Sequence, residues 1–142
     1  MAISQAVCNS FKQQILEGVH NFATGGNVFK LSLYTSAANL SASTTVYIST
    51  NEVTATGQYT AGGGTLTGQQ TSLDTGVAIV DFADLSFTGV TLTAAGALIY
   101  NTSATNKAVC VLDFGGDKTA TAGTFTIQFP AFTSAAAILR IA

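Results

Sequence analysis

The sequence predicts a mainly β fold, an antiparallel β-sandwich of jelly-roll-like type with one N-terminal α-helix. Three observations lead to this prediction. Roughly eight to ten short apolar runs follow one another with turn-type residues between them. Residues 123–129 alternate between large apolar and polar side chains, as a half-buried strand does. Residues 108–112 are apolar on both faces, which is typical of a central strand. No helical crossover separates the runs, so the pairing should be mostly antiparallel.

Residues 4–22 predict the helix, because apolar side chains recur there at spacings of three and four residues. The stripe consists of Val7, Phe11, Ile15, Val19 and Phe22. Ser4 is expected to cap its N-terminus, and Gly25 and Gly26 are expected to end the segment. Two roles stay open: the helix covers the sheet, or it docks on a partner protein as an amphipathic anchor. We therefore divide the chain into a helix and hinge (residues 1–26), packed on the same domain, and a β-sandwich (residues 27–142).

The strands are predicted from short apolar runs along the rest of the chain. These runs cover residues 28–34, 46–50, 52–56, 77–82, 85–87, 90–92, 97–100, 108–114, 123–129 and 137–141. Turns are expected at residues 88–89 and 115–118, where glycine is present. The side chains expected in the core are Phe82, Phe114, Phe125, Ile127 and Phe129.

Residues 58–73 are rich in glycine and threonine and include three consecutive glycines. The segment lacks the Lys-Ser/Thr ending and the strand-to-helix context of a phosphate-binding loop. A flexible hairpin tip or surface loop is the expected structure. Together with the helical stripe, this loop supplies the candidates for contact with a partner: Val7, Phe11, Ile15, Val19, Tyr59 and Leu66.

The composition is unusual in its charge. Charged residues make up 8% of the 142-residue chain, against roughly 25% in a typical soluble domain. A neutral, threonine-rich surface and a surface shared with other subunits both explain this, since interface cores are depleted in charge. The net charge is −2 and the five cations are spread along the chain, so nucleic-acid binding is not expected. Neither a secretory signal nor a membrane-spanning stretch is recognisable, and no membrane partner is expected.

No residue pattern predicts catalysis, a cofactor or a metal site, and the chain is not expected to be an enzyme. His20, the one histidine, is placed on the N-terminal helix with an ordinary helix-end role. Two carboxylate pairs, Asp81 with Asp84 and Asp113 with Asp117, are expected to shape turns by bonding to the backbone. Cys110 should be a buried reduced thiol, and a disulfide between the two cysteines, Cys8 and Cys110, stays open.

Several blocks of the sequence resemble a family of small structural proteins of tailed bacteriophages. The blocks are residues 28–36, 51–53, 57–63, 80–84 and 96–101, followed by the best-matching part, residues 106–118 and 125–130. The latter includes Leu112-Asp113-Phe114-Gly115-Gly116-Asp117-Lys118 and Phe125-Thr126-Ile127-Gln128-Phe129-Pro130. The resemblance spans most of the chain.

The resemblance implies a capsid decoration (cement) protein that binds the major capsid protein on the outside of the head, often as a homotrimer. It also implies a location in the virion after synthesis in the host cytoplasm, where thiols start reduced. One alternative is a tail, neck or fibre component of the virion. The other is a carbohydrate-binding β-sandwich, which would need a platform of Trp or Tyr. The chain has no Trp, and its tyrosines are scattered along the sequence.

Overall fold

The computed structural model describes residues 2–142 as two antiparallel sheets and one short helix. In chain order the elements are β1 (Ala6–Val7), α1 (Asn9–Leu16), β2 (Phe29–Tyr34), β3 (Gly64–Thr65), β4 (Gln70–Asp74), β5 (Val77–Asp81), β6 (Leu85–Asn101), a 3₁₀ turn (Thr102–Ala104), β7 (Lys107–Ile127) and β8 (Leu139–Ile141). The five-stranded sheet has the order β1-β7-β6-β2-β3, and the three-stranded sheet has the order β4-β5-β8. A mainly β, antiparallel fold with one N-terminal helix is therefore confirmed, whereas the jelly-roll arrangement stays a prediction.

The hairpin of β6 and β7 dominates the fold, and its strands are far longer than predicted. β6 has 17 residues and β7 has 21. The expected turns at residues 88–89 and 115–118 are bulges inside the ladder, where the register shifts. Gly89 (φ 65°) and Gly115 (φ 77°) adopt left-handed backbone conformations there, which glycine allows within a bulge as readily as within a turn.

The alternation predicted for residues 123–129 is confirmed. Phe125, Ile127 and Phe129 are buried, and the intervening Thr124, Thr126 and Gln128 are exposed. The run from residue 108 to residue 111 is buried on both faces, as expected of a central strand.

Strand β2 lies inside the large sheet and is covered on both faces. Ser32 and Tyr34 are as fully buried as Leu31 and Leu33. The cover on the second face comes from residues 46–56, which were predicted to form two strands. They make isolated bridges, such as Val46 with Lys107 and Glu52 with Tyr34, and separate backbone hydrogen bonds, such as the one from the Val53 N–H to the Leu33 carbonyl at 2.9 Å.

The glycine-rich segment is not a flexible surface loop. Gly64 and Thr65 pair with β2, and a Cβ atom on Gly63 would overlap the Leu31 carbonyl oxygen. Tyr59 and Leu66 belong to the hydrophobic core. Only the glycine side-chain hydrogen lets the two backbones approach this closely.

The N-terminal helix is shorter than predicted, eight residues in place of residues 4–22. Ser4 does not cap it, because the Ser4 N–H donates to the Leu40 carbonyl at 2.9 Å and β1 pairs with the edge of β7. Cys8 occupies the N-cap position without a side-chain hydrogen bond. The helix ends at Leu16, and Gly18 (φ 73°) follows it as the left-handed residue of the C-terminal cap, before Gly25. The N–H of Val19 donates to the Gln14 carbonyl at 3.0 Å, which is the bond of a Schellman cap.

An aromatic cluster joins the N-terminal segment to the sheets. The Phe22 and Phe29 rings stack with centroids 4.4 Å apart, and Phe82 meets both rings edge-on. Phe82 also contacts Phe129 at 5.8 Å. Of the five predicted core residues only Phe114 is not fully buried: it is half-buried against the core, in the bulge between Asp113 and Lys118.

The two cysteines are close to the β1–β7 pairing, and both are free thiols. The open question of a disulfide is therefore answered for this structure: none joins them. Burial raises the pKa of Cys8 to about 11 and that of Cys110 to about 12. Both thiols are thus protonated and unreactive at neutral pH.

Candidate functional site

An open apolar groove lies between helix α1 and strand β8, and we call it the α1–β8 groove. It has a volume of about 780 Å³, within the roughly 300–1,000 Å³ of ligand sites in proteins. The N-terminal segment forms one wall and the three-stranded sheet forms the other. Its lining includes the apolar side chains of Val7, Phe11, Ile15 and Leu16 and the cationic side chains of Lys12 and Arg140.

Helix α1 is held in place mainly by Phe11, the buried residue of the helix. Its ring lies 4.9 Å from the His20 ring and 5.9 Å from the Phe22 ring. Because the helix has only about two turns, one anchor leaves the rest of its apolar surface uncovered. Ile15 is half-buried, and Leu16 is 89% exposed. The helix therefore presents apolar side chains at the mouth of the groove.

The opposite wall is formed by all three strands of the small sheet, through Thr71, residues 78–80 and residues 139–141. Ile79 and Leu139 are buried at its base, and Ile141 is 60% exposed at its rim. Strand β8 ends the sheet and pairs with β5 along one side only. Within residues 2–142, no backbone hydrogen bond reaches the outer side of β8. A free strand edge beside apolar side chains is a template for another strand.

The charges of the groove have one sign. Lys12 and Arg140 line it, and no Asp or Glu is among its lining residues. The Lys12 Nζ is 3.5 Å from the Asn9 Oδ1, and the Arg140 Nη1 donates to the Ser134 carbonyl at 3.1 Å. Both partners are neutral. The groove is thus weakly cationic in a chain whose net charge is −2.

Two further grooves continue along the same side of the molecule. One, of about 530 Å³, lies between β7 and the segment after Pro130. The other, of about 540 Å³, shares Gln5 and Pro130 with the first and Val7 and Leu139 with the α1–β8 groove. We call this continuous line of three grooves the seam. It runs between the N-terminal and C-terminal segments, where the two sheets are not in full contact.

His20 lies at the inner end of the α1–β8 groove, after the helix and not on it as predicted. Asn101 Nδ2 is 3.0 Å from the Nδ1 atom, and Gln14 Oε1 is 2.9 Å from the Nε2 atom. These partners fit a neutral ring that carries its proton on Nε2. Burial, and secondarily the charge of Lys107, lowers the pKa of His20. With amide partners on both nitrogens, the ring positions neighbouring segments and has no group to exchange protons with.

A polar cluster on another side of the fold contains all four tyrosines, and we call it the tyrosine–Glu52 cluster. The Tyr47 hydroxyl donates to Glu52 Oε1, and the Tyr59 hydroxyl donates to Glu52 Oε2 at 2.7 Å. The Gly62 N–H donates to the same Oε2 atom at 2.7 Å. Tyr47 also stacks on Tyr100, with centroids 4.8 Å apart. Three donors that lie within ten residues of Glu52 in sequence thus converge on its carboxylate.

The remaining contacts of the cluster tie it to strand β2. The Leu33 N–H donates to the Tyr59 hydroxyl at 2.8 Å, and the Tyr34 hydroxyl donates to the Ile48 carbonyl at 2.6 Å. Burial raises the pKa of Tyr34 and of Tyr100 to about 12 each, and Glu52 adds to both shifts. Burial, followed by the Glu52 contact, also raises the pKa of Tyr47 and Tyr59. The phenols therefore stay protonated and act as donors, which suits a structural role.

The structure brings three of the six predicted partner-contact residues to one place. Val7, Phe11 and Ile15 line the α1–β8 groove. Val19 is half-buried outside its lining residues. Tyr59 and Leu66 are buried, at 0% and 4% exposure, so neither offers a surface to a partner in this conformation. For the residues in the groove, contact with a partner stays a prediction.

Other residues of the groove escaped the sequence reasoning. Leu16 lies outside the helical stripe, and an apolar residue off the stripe is the one signal that could have singled it out. Arg140 and Ile141 lie in the predicted strand of residues 137–141, and nothing local in the sequence indicates that its outer edge is free. The tyrosines are scattered along the sequence, and their spacing does not indicate that they come together in the fold. With three of them buried, they do not form an exposed stacking platform for a carbohydrate.

The predicted carboxylate pairs bond to the backbone where they make contacts. Asp84 Oδ1 accepts from the Phe129 N–H at 2.9 Å, and Asp113 Oδ1 accepts from the Gly115 N–H at 2.9 Å. Among residues 2–142, no three His, Cys, Asp or Glu side chains are grouped to hold a metal ion.

Comparison of the chain with protein-family models, with curated proteins and with solved structures finds no match. In the part of the chain that the structure describes, no helix has the length and apolar character to cross a membrane.

Proposed function

We propose that this protein is a structural virion protein that decorates and stabilises the head of a tailed bacteriophage. In this proposal it binds the major capsid protein on the outer surface of the shell as a homotrimer. The resemblance of residues 28–36, 106–118 and 125–130 to small phage structural proteins supports the proposal. The proposal includes the jelly-roll-like sandwich expected from the sequence.

The observation that carries the proposal is the seam. Its three grooves share lining residues with one another, and the exposed apolar side chains of Leu16 and Ile141 lie in it. Contiguous exposed apolar surface marks interaction sites in proteins. Only 8% of the residues are charged, and interface cores are depleted in charge. A protein that works by fitting against neighbouring subunits needs this kind of surface.

The mechanism would be stabilisation by mass action. A subunit that binds the assembled, expanded shell more tightly than the immature shell lowers the free energy of the expanded state. A modest free energy of binding at each site is sufficient, because the sites are repeated over the shell. A scaffold with a rigid hairpin and a tightly bonded tyrosine–Glu52 cluster would keep the contact surface in one shape, which limits the entropy lost on docking.

The first experiment measures copy number by quantitative mass spectrometry of purified virions. A decoration protein should approach the copy number of the major capsid protein. A tail, neck or fibre component would be present in roughly tens of copies or fewer, and that result would replace head decoration by the tail alternative. A protein absent from washed virions would contradict both.

The second experiment compares virions with and without the protein. Virions that lack it should release their DNA at lower temperature or lower salt, as measured by dye access during heating. Adding the purified protein back should restore the release temperature. Equal release temperatures with and without the protein would contradict a stabilising role even if the copy number is high.

A further inference from the structure

We propose that the α1–β8 groove binds an extended peptide segment of a partner protein that carries a carboxylate between two apolar side chains. The inference deepens the proposed function and rests on it for the identity of the partner, which would be a segment of the shell protein. The chemistry of the segment is argued from the groove alone.

The free edge of β8 determines the conformation of the bound segment. The outer N–H and C=O groups of β8 have no backbone partner within residues 2–142, and β8 ends its sheet. An added strand would extend the three-stranded sheet to four and satisfy these groups. Because β8 has only three residues, the backbone ladder is about 10 Å long. Its contribution is small, so side chains must supply most of the affinity and all of the specificity.

The side chains around the edge determine what the segment carries. Leu139 and Ile141 flank Arg140 along β8, and Ile15 and Leu16 face them from the helix. Apolar side chains on the bound segment would cover these apolar groups. The residue between them would point to the opposite face of the sheet, beside Arg140, because successive side chains of a strand alternate between faces. Arg140 also lines the neighbouring groove of about 540 Å³, and no acid is among the lining residues of either groove. A carboxylate is therefore the complementary charge, and opposite charges across a strand pair favour association.

The test uses purified protein and three short fluorescent peptides, so it needs no virion. The first peptide has glutamate between two valines and threonines at its ends, the second has lysine in place of glutamate, and the third has glutamine. Fluorescence anisotropy should rank the affinities glutamate, glutamine, lysine, with roughly five- to tenfold between first and last. In an NMR titration the amide signals of residues 139–141 should shift on addition of the glutamate peptide.

Two variants with the same change in charge distinguish a local charge effect at Arg140 from an effect of the protein's overall charge on peptide binding. Arg140→Glu should reverse the preference between the glutamate and lysine peptides. Lys118→Glu alters an exposed lysine on β7 that does not line this groove, and it should leave the preference in place. Because Arg140 is exposed, its substitution should leave the melting temperature near that of the wild type.

Backbone methylation tests strand addition directly. Two versions of the glutamate peptide, N-methylated at adjacent residues, differ in which N–H faces β8. One should lose binding and the other should keep it, because alternate N–H groups of a strand point to opposite sides. Equal binding of the two would mean that the segment does not add as a strand, and would overturn the proposal.

The remaining outcomes also decide the matter. Equal affinity for the glutamate and lysine peptides, or no binding of any peptide up to about 1 mM, would overturn the inference. Binding of dodecanoate without binding of the peptides would assign the groove to a lipid. Shifts of residues 139–141 that depend on protein concentration alone would assign it to a second copy of this chain. Each of these results leaves the copy-number test of the proposed function unaffected.

Discussion

The tyrosine–Glu52 cluster and the α1–β8 groove are two places where irregular segments meet regular strands, and they are built in opposite ways. In the cluster, Tyr59, Tyr47 and the Gly62 N–H all donate to one carboxylate, and the backbone of β2 joins the same network. In the groove, two walls remain apart, with apolar side chains and two unpaired cations between them. Satisfied polar groups fix one side of the molecule in a single conformation. The other side has unused apolar surface and a free strand edge, which makes it the side available to a partner.

The largest expected loss of stability comes from adding a side chain where the backbones of Gly63 and Leu31 are in close contact, beside the tyrosine–Glu52 cluster. Gly63→Ala would place a Cβ on the Leu31 carbonyl at a left-handed φ of 85°, and we expect a loss of about 3–5 kcal/mol. Gly76→Ala is the control, because Gly76 has a similar φ of 83° and open space around its Cβ position. It should cost about 1–2 kcal/mol. Urea denaturation measures both, and equal losses would show that the close approach at Gly63 is not a constraint.

A smaller loss is expected when the hydrogen-bond network is cut without changing its packing. Tyr59→Phe removes the hydroxyl that accepts from the Leu33 N–H and one of the two hydrogen bonds to Glu52 Oε2. In this buried setting the change should cost about 1–3 kcal/mol. Tyr47→Phe removes one bond from a half-buried hydroxyl and should cost about 0.5–1.5 kcal/mol. The order of the two losses is the prediction. If Tyr47→Phe is the more harmful change, the cluster is organised around Tyr47 and not around the link to β2.

The fold could be predicted from the sequence where the pattern is local. The alternation around Phe125, the doubly buried run at Val109 and the closing strand at Leu139 are each contained in a few residues, and each is present in the structure. Strand length could not be predicted, because a glycine in a left-handed conformation serves a turn and a bulge equally well. Gly89 and Gly115 interrupt the ladder without ending it.

The candidate site could be predicted only in part, for a related reason. The stripe that contains Phe11 and Ile15 correctly indicates an apolar helix face, but the helix ends at Leu16 because Gly18 completes a C-terminal cap there. Residues before the helix join the sheet, since the edge of β7 offers them backbone partners. Whether the edge of β8 is covered depends on how two distant segments pack, and no spacing along the chain records that.

A third prediction concerns pH at the inner end of the groove. Burial lowers the pKa of His20 below its unfolded value, so the unfolded chain binds a proton more readily than the folded protein. Stability from this group is therefore complete above about pH 6.5 and is lost as the pH falls through the folded pKa. The melting temperature of the wild type should fall between pH 7.5 and pH 5.5.

The control for this prediction is His20→Gln, which retains a hydrogen-bonding side chain that does not titrate. Its melting temperature can be lower at pH 7.5 because the aromatic packing around His20 changes. Its change between pH 7.5 and pH 5.5 should nevertheless be smaller than that of the wild type. A wild-type melting temperature that is constant over this interval would mean that His20 titrates alike in both states.

The smallest expected effect on the free energy of unfolding is in the α1–β8 groove, where an exposed side chain should contribute little to folding. Leu16 is 89% exposed, so Leu16→Gln should change the free energy of unfolding by no more than about 0.5 kcal/mol. Phe11→Ala, one turn earlier and buried, should cost about 3–5 kcal/mol. If Leu16→Gln is instead strongly destabilising, Leu16 contributes to the packing of the helix, and this surface of the groove is not available to a partner. A stable Leu16→Gln protein that binds the glutamate peptide more weakly would show that this side chain is kept for contact with a partner and contributes little to folding.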